Sequence, residues 1–430
     1  MTIKKYLKIA KKDLFPLCRS LTGKDTLKTL KIIKKQFPLL KINKIPSKTK
    51  VFDWNVPASW DVSDAYILDK HNKKIIDFKL NNLHLVGYSI PINKKVSKKE
   101  LLKRLHSLKE RPKSIPYITS YYKKYWGFCT THENKKLIEK YYSNYDKFKI
   151  IIKSKLNNKG LLNYGEIIIP GKSKQEILLS TYICHPSMAN NELSGPIVSM
   201  ALINYFKKLR KNEKTLRFIF VPETIGAIAY LHQNLDKLKK NVIAGYNLTC
   251  IGDDRMHSCI FSKYENSLSN KALKFAYKKL AIKPKVYDFL YRGSDERQYN
   301  SPGIDLPIAT VCRTKFGEYP EYHTSDDNFS LVTKSGLQGG FEVVKNAILF
   351  LMSKKYPRST VLCEPFLSKR NLYPSLSIRK ENYFSKKLTD FLQYSDAKNN
   401  LDEIRIKIKI NKRLMTNILK ILIKHKLIEI

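Results

Sequence analysis

The sequence is short of acid. Its 430 residues carry 37 Asp and Glu against 81 Lys and Arg, a formal net charge of +44. Glycine and proline are scarce, at 16 and 18, which excludes collagen-like and low-complexity classes. The seven cysteines (Cys18, Cys129, Cys184, Cys250, Cys259, Cys312, Cys363) are odd in number, with no CxxC spacing. Buried, reduced thiols in a cytoplasmic protein fit that pattern. Long apolar runs are missing too. "AILFLM" is far too short to span a bilayer, so no membrane partner is expected. The N-terminal "MTIKKYLKIAKKDLF" has charges every few residues and none of the apolar stretch of a secretory leader.

What is present points to a folded chain. Hydrophobic residues make up 43% and aromatics 11%, enough for a core, which excludes global disorder. The Lys excess invites a nucleic-acid reading. Yet Lys far outnumbers Arg and is spread from Lys4 to Lys426 without a compact cluster. It reads as background that governs solubility and non-specific binding. Nucleic acid is a possible partner but not the favoured one.

The length suggests two or three domains. Residues 1–36 have helical apolar spacing. Residues 48–116 turn β-rich, with Trp, Val, Asp and Pro between strand-like runs, and Pro112 and Pro116 mark the end. From 117 to 355 short apolar strands alternate with helices, which predicts an α/β sheet with helices on both faces. We expect residues 1–47 and 117–355 to form the α/β domain, 48–116 an inserted subdomain, and 356–382 a linker. Residues 383–430 hold three short amphipathic stretches and resemble a small winged-helix module. Their Lys-rich faces read as solvated. The aromatic run "YITSYYKKYWGF" reads as core and pocket lining, not as a base-stacking surface.

In an α/β sheet the site lies beyond the carboxyl ends of strands, and polar residues fall there. His185 closes a strand in "YICHPSMANNELSGP", a good position for a metal ligand. Glu223 closes the strand "LRFIFVPE", where partial desolvation should raise its pKa toward that of a general base. Asp253 ends the strand region of "NLTCIGDDR". His323 sits in "GEYPEYHTSDDNFSLV" beside Tyr322. An acid two or three residues away could hold its second ring nitrogen.

Together, "NNELSG", "ETIGAIAY", "GSDERQYNSPGIDLP" and "YHTSDDN" resemble, in order, the motifs of the co-catalytic zinc aminopeptidase family. Further segments ("LFPLCRSLTG", "VFDWNVP", "NNLHLVGYS", "STYICHPSMAN", "CEPFLSKRNLYP") look like a bacterial subfamily. That subfamily has an inserted small domain and a C-terminal winged helix. The resemblance implies a mixed sheet sandwiched by helices and a metal-dependent hydrolase of a peptide or amino-sugar amide with a free amine nearby. It points loosely to polysaccharide biosynthesis. It implies His185 as first and His323 as last zinc ligand, and Glu223 as general base.

The sequence also departs from the family. The bridging Asp falls on Asn191, a second Glu on Thr224, and a third acid on Thr249. Asp253 could serve in place of Thr249, and Glu192 in place of Asn191. The expected metal set is thus His185, Asn191, Asp253 and His323, with Glu192, Asp295 and Tyr322 at the substrate pocket. One zinc is expected in preference to two. A non-catalytic ligand-binding or regulatory protein, with the winged helix on DNA or a partner, is the alternative. The oligomeric state stays open.

Overall fold

The computed structural model describes residues 2–209, 212–372 and 383–430. The chain divides into two compact units, 1–347 and 348–430.

The first unit is built on an eight-stranded sheet. Its spatial order is Lys41–Pro46, Leu161–Ile169, Lys214–Val221, Ser173–Tyr182, Val242–Leu248, Ile308–Cys312, Ser258–Ile260 and Lys285–Tyr287. The four central strands run parallel, with Tyr182 opposite Val221, Ser180 opposite Asn247 and Leu248 opposite Val311. Strand Lys214–Val221 is buried at every position and Ser173–Tyr182 at its last eight. Continuous apolar runs are what a sheet covered on both faces needs. Edge strand Lys41–Pro46 pairs antiparallel and buries only Ile45. The sheet is mixed and flanked by helices, including Ser194–Lys208 and Ile225–Asn241, which follow two central strands.

Helix Ser194–Lys208 packs very close to the strand ends. A Cβ on Gly195 would collide with Thr181 Oγ1 and the Leu248 carbonyl. The small residue seats this helix and the turn before it against the sheet's carboxyl edge.

A second, antiparallel sheet has the order Lys74–Asp77, Ser59–Leu68, Lys147–Asn157, Ile92–Ser97. Strand Lys147–Asn157 lies outside the 48–116 span expected for the inserted subdomain, so that span is too short. Its sequence, "KFKIIIKSKLN", hides three consecutive buried Ile among exposed Lys. It is a central strand, not a connection.

The second unit holds helices Tyr383–Gln393, Leu401–Lys407 and Lys412–Lys424. Asn400 and Glu403 form a capping box, and Asn411 caps the last helix. Leu388, Phe391, Ile404, Ile418 and Leu422 fill its core. Part of the expected linker belongs here. Arg358–Ser359 pairs with Ile428–Glu429, and Leu367 joins that core. Residues 373–382 of the expected linker lie outside the described residues. No helix is long and apolar enough to cross a membrane, among the described residues.

Candidate active site

Two elements leave the carboxyl edge of the sheet and carry the first two groups. His185 follows strand Ser173–Tyr182 and is buried. Glu223 follows strand Lys214–Val221, and its Oε2 lies 3.7 Å from His185 Nε2. The other ring nitrogen, Nδ1, is 3.0 Å from Glu192 Oε2. In the neutral ring this contact puts the proton on Nδ1 and leaves the Nε2 lone pair toward Glu223. Glu192 is itself held by Arg19, whose Nε lies 3.4 Å from Oε1, both side chains being fully buried. Burial lowers the His185 pKa, but the hydrogen bond and charge of Glu192 and the charge of Glu223 outweigh it. The net shift is upward.

Burial pushes the Glu223 carboxyl above its ordinary value, against the pull of His185, Ser294 and Arg297. Ser294 Oγ donates to Glu223 Oε1 at 2.9 Å, so one oxygen is fixed and the other faces the histidine. Next to it, Thr224 is left-handed at φ 63°, a conformation that costs a β-branched residue on the order of 1–3 kcal/mol. Two contacts hold it there. The Thr224 amide donates to Asp295 Oδ1 at 2.7 Å, and Arg297 Nη2 donates to Thr224 Oγ1 at 2.7 Å.

His323 arrives from the opposite side, also left-handed at φ 54°. Its ring stacks on Tyr322 at 3.9 Å and lies 5.4 Å from the His185 ring. Its Nε2 is buried without a partner. Burial, then the charge of His185, pulls its pKa down to about 3, so the ring is neutral and its lone pair available. The acid expected to hold this histidine does not. Asp326 pairs with Arg111 and Ser114, and Glu321 with Arg255. Asp327 accepts from the amides of Ala189, Asn190 and Asn191 and from Tyr319.

The expected acids on the far side are replaced by a neutral network. Asn191 Nδ2 donates to Tyr182 OH at 2.9 Å, and that hydroxyl meets Thr249 Oγ1 at 2.5 Å. Thr249 also donates to the Asn191 carbonyl. Asn191 Oδ1 is buried and unpartnered. Asp253 is not brought to this cluster. Its carboxylate is taken by Asn190, Arg255 and Thr314 in a loop-closing network.

A cavity of about 390 Å³ opens over these groups. His185, Glu223, Thr224, His323 and Arg297 line it with Trp54, Tyr117, Tyr121 and Tyr122. The tyrosines come from the run read as pocket lining. Their segment is fixed by the Tyr117 amide, which donates to the His323 carbonyl at 2.8 Å. Glu192, Asp295 and Tyr322 do not line the cavity. Glu192 sits behind His185, Asp295 is fully buried under Thr224, and Tyr322 backs His323. Sequence reasoning missed Arg19, Tyr182, Ser294 and Arg297. Only proximity to recognised motifs could have flagged them.

Comparison with known proteins places the chain. It belongs to the family described as a domain of unknown function, DUF4910, whose profile matches residues 8–354. Residues 355–430 match a winged helix-turn-helix profile. A Clostridium acetobutylicum protein is 40% identical over 402 residues, 92% of this chain and 89% of that one. It is provisionally named for polysaccharide biosynthesis and an aminopeptidase-like domain. A crystal structure from the same organism, provisionally named a peptidase, superposes with TM-score 0.78 at 36% identity. It covers 100% of this chain and 96% of that one. BSAP, a zinc aminopeptidase from Bacillus subtilis, shares the fold at TM-score 0.62 and 12% identity, over 82% and 95% of the two chains.

Zinc can be tested against the residues present. Among the described residues, one group of three donors lies within 4.8 Å of one another: Cys184, His185 and Glu192. Its members are engaged with one another and with Arg19. Burial pushes the Cys184 thiol well above its usual range, and Glu192 is spent on Arg19 and His185. His323 Nε2 and Asn191 Oδ1 are buried without a hydrogen-bond partner, as are Glu192 Oε1 and Asp295 Oδ2, and His185 Nε2 has Glu223 Oε2 near it, at 3.7 Å. Imidazole nitrogen and carboxamide or carboxylate oxygen are donor types that suit a zinc ion.

Proposed function

We propose that the chain is a one-metal amide hydrolase of the aminopeptidase-like class, acting on a small peptide or amino-sugar amide. The observation that supports it most is Glu223 Oε2 facing His185 Nε2 at 3.7 Å beneath a cavity, with an unpartnered His323 Nε2 beside them. His185, His323 and Asn191 would hold the ion. When bound, it would supply Lewis-acid polarisation of the scissile carbonyl and of water. Glu223 accepts a proton from the attacking water on Oε2 while Ser294 holds Oε1, and its raised pKa lets it return that proton to the leaving amine. The names of the Clostridium acetobutylicum relative and of the zinc aminopeptidase lend support, and the first also points to polysaccharide biosynthesis.

Metal analysis of the purified protein tests this. One zinc per chain, with retention of that zinc in Glu223→Gln, is the expected result. A chain that takes up no zinc even when it is supplied would end the hydrolase reading. That result would favour a second one, a binding protein without turnover, to which the closed Asn191–Tyr182–Thr249 network lends support.

A further inference from the structure

Arg297 is not accounted for by the hydrolysis. It enters from the short helix Glu296–Tyr299 and lines the same cavity as Glu223. Nη2 is spent on Thr224 Oγ1, but Nε is buried with no partner. No described carboxylate hydrogen-bonds to it, although its charge acts on the Glu223 and Asp295 carboxyls nearby. Buried donors are rarely left unmade, because each unmade bond costs free energy. A guanidinium presents a planar fork matched to a carboxylate.

The cavity's acid count points the same way. Among the described residues that line it, Glu223 is the one carboxylate and Arg297 the one permanent cation. The two acids that could receive an ammonium are withdrawn. Glu192 is tied to Arg19 and His185, and Asp295 is fully buried against the Thr224 amide. With the base reserved for water, nothing is left to hold a free amine. Arg297 would repel one.

We propose that Arg297 is a specificity residue that binds a carboxylate of the substrate. The preferred substrate is then an amide bearing a neighbouring carboxylate, with its apolar part against Trp54, Tyr121 and Tyr122, and not the free-amine amide that the family resemblance implies. This rests on the cavity proposed above as the active site.

The test reads binding without turnover. Benzoate, benzamide and benzylammonium share size and ring and differ in charge. Their affinities for the full chain are measured calorimetrically at 150 mM salt, once with EDTA and once with zinc. We expect benzoate to bind at least about tenfold tighter than benzamide in EDTA, the scale of a hydrogen bond to a charged group, with benzylammonium weakest. Arg297→Gln should bring benzoate to within about twofold of benzamide, while Arg297→Lys restores part of the preference. Equal or tighter binding of benzylammonium in the wild type would overturn the proposal, and needs no variant to fold. So would a benzoate preference unchanged in Arg297→Gln. A preference seen only with zinc would assign the carboxylate to the metal and overturn it as well. A chain without zinc or turnover that still ranks benzoate first loses the hydrolase reading and keeps this one. A free-amine substrate turned over without benzoate binding does the reverse.

Discussion

The region around the sheet's carboxyl edge has two sides that differ in kind. One side, with His185, Glu223 and His323, lines the cavity and holds titratable groups with shifted pKa values, the His323 Nε2 lacking any partner. The other, with Asn191, Tyr182 and Thr249, is neutral and mostly closed by its own hydrogen bonds. The same sheet edge supplies both. One strand-end scaffold thus carries a titratable side and a neutral one next to each other. On the neutral side the Tyr182 hydroxyl joins Asn191 to Thr249.

The largest expected effect lies on the charged side. Glu223→Gln should cut turnover by about a hundred- to ten-thousandfold, the scale of a lost general base, with metal content intact. Retained activity would take Glu223 out of that role. Next, Arg19→Met leaves the buried Glu192 with His185 alone and without its permanent cation, so urea unfolding should show a loss of about 3–5 kcal/mol. A loss below about 1 kcal/mol would mean that the pair is replaceable by packing. On the neutral side, Asn191→Asp should tighten zinc binding by about tenfold, as a nearby charge outweighs its own desolvation. Unchanged affinity in a competitive chelator titration would show that residue 191 does not face the ion.

The smallest effect is a pH slope beyond the neutral side. Burial, then the charge of Arg313, pulls the His257 pKa down to about 4. Its folded pKa is below its unfolded value, so the neutral ring favours the folded state. That contribution is present above about pH 6.5 and is lost as pH falls toward about 4. His257→Gln should flatten the fall in urea midpoint over that window. A slope equal to that of wild type would assign the acid sensitivity elsewhere.

The legibility of the molecule follows the range of its interactions. Central strands announced themselves as continuous apolar runs, because burial on both faces demands them. His185 and Glu223 stood out because motif order placed them at strand ends, and His323 because it sits in the last of the ordered motifs. Strand Lys147–Asn157 escaped because Lys side chains broke up its apolar pattern. Arg19, Ser294 and Arg297 escaped for a different reason. Each acts through a partner far away in sequence, and nothing local distinguishes an Arg aimed into a cavity from one in water. In a chain with 81 Lys and Arg, the two cations that matter here were lost among the rest.

The Arg19–Glu192 pair has a consequence for assembly. Glu192 orients the histidine, yet Glu192 is steadied by a residue from the far N-terminal part of the chain. During synthesis Arg19 emerges long before its partner and waits in water until the Ser173–Tyr182 strand and the turn after it have formed. The histidine thus reaches its working orientation only after distant parts of the chain have met. The orientation of this histidine is therefore a product of the completed fold, and a chain trimmed of its first twenty or so residues would lose both the Arg19 hold on Glu192 and the core contacts of Tyr6, Ala10 and Leu14.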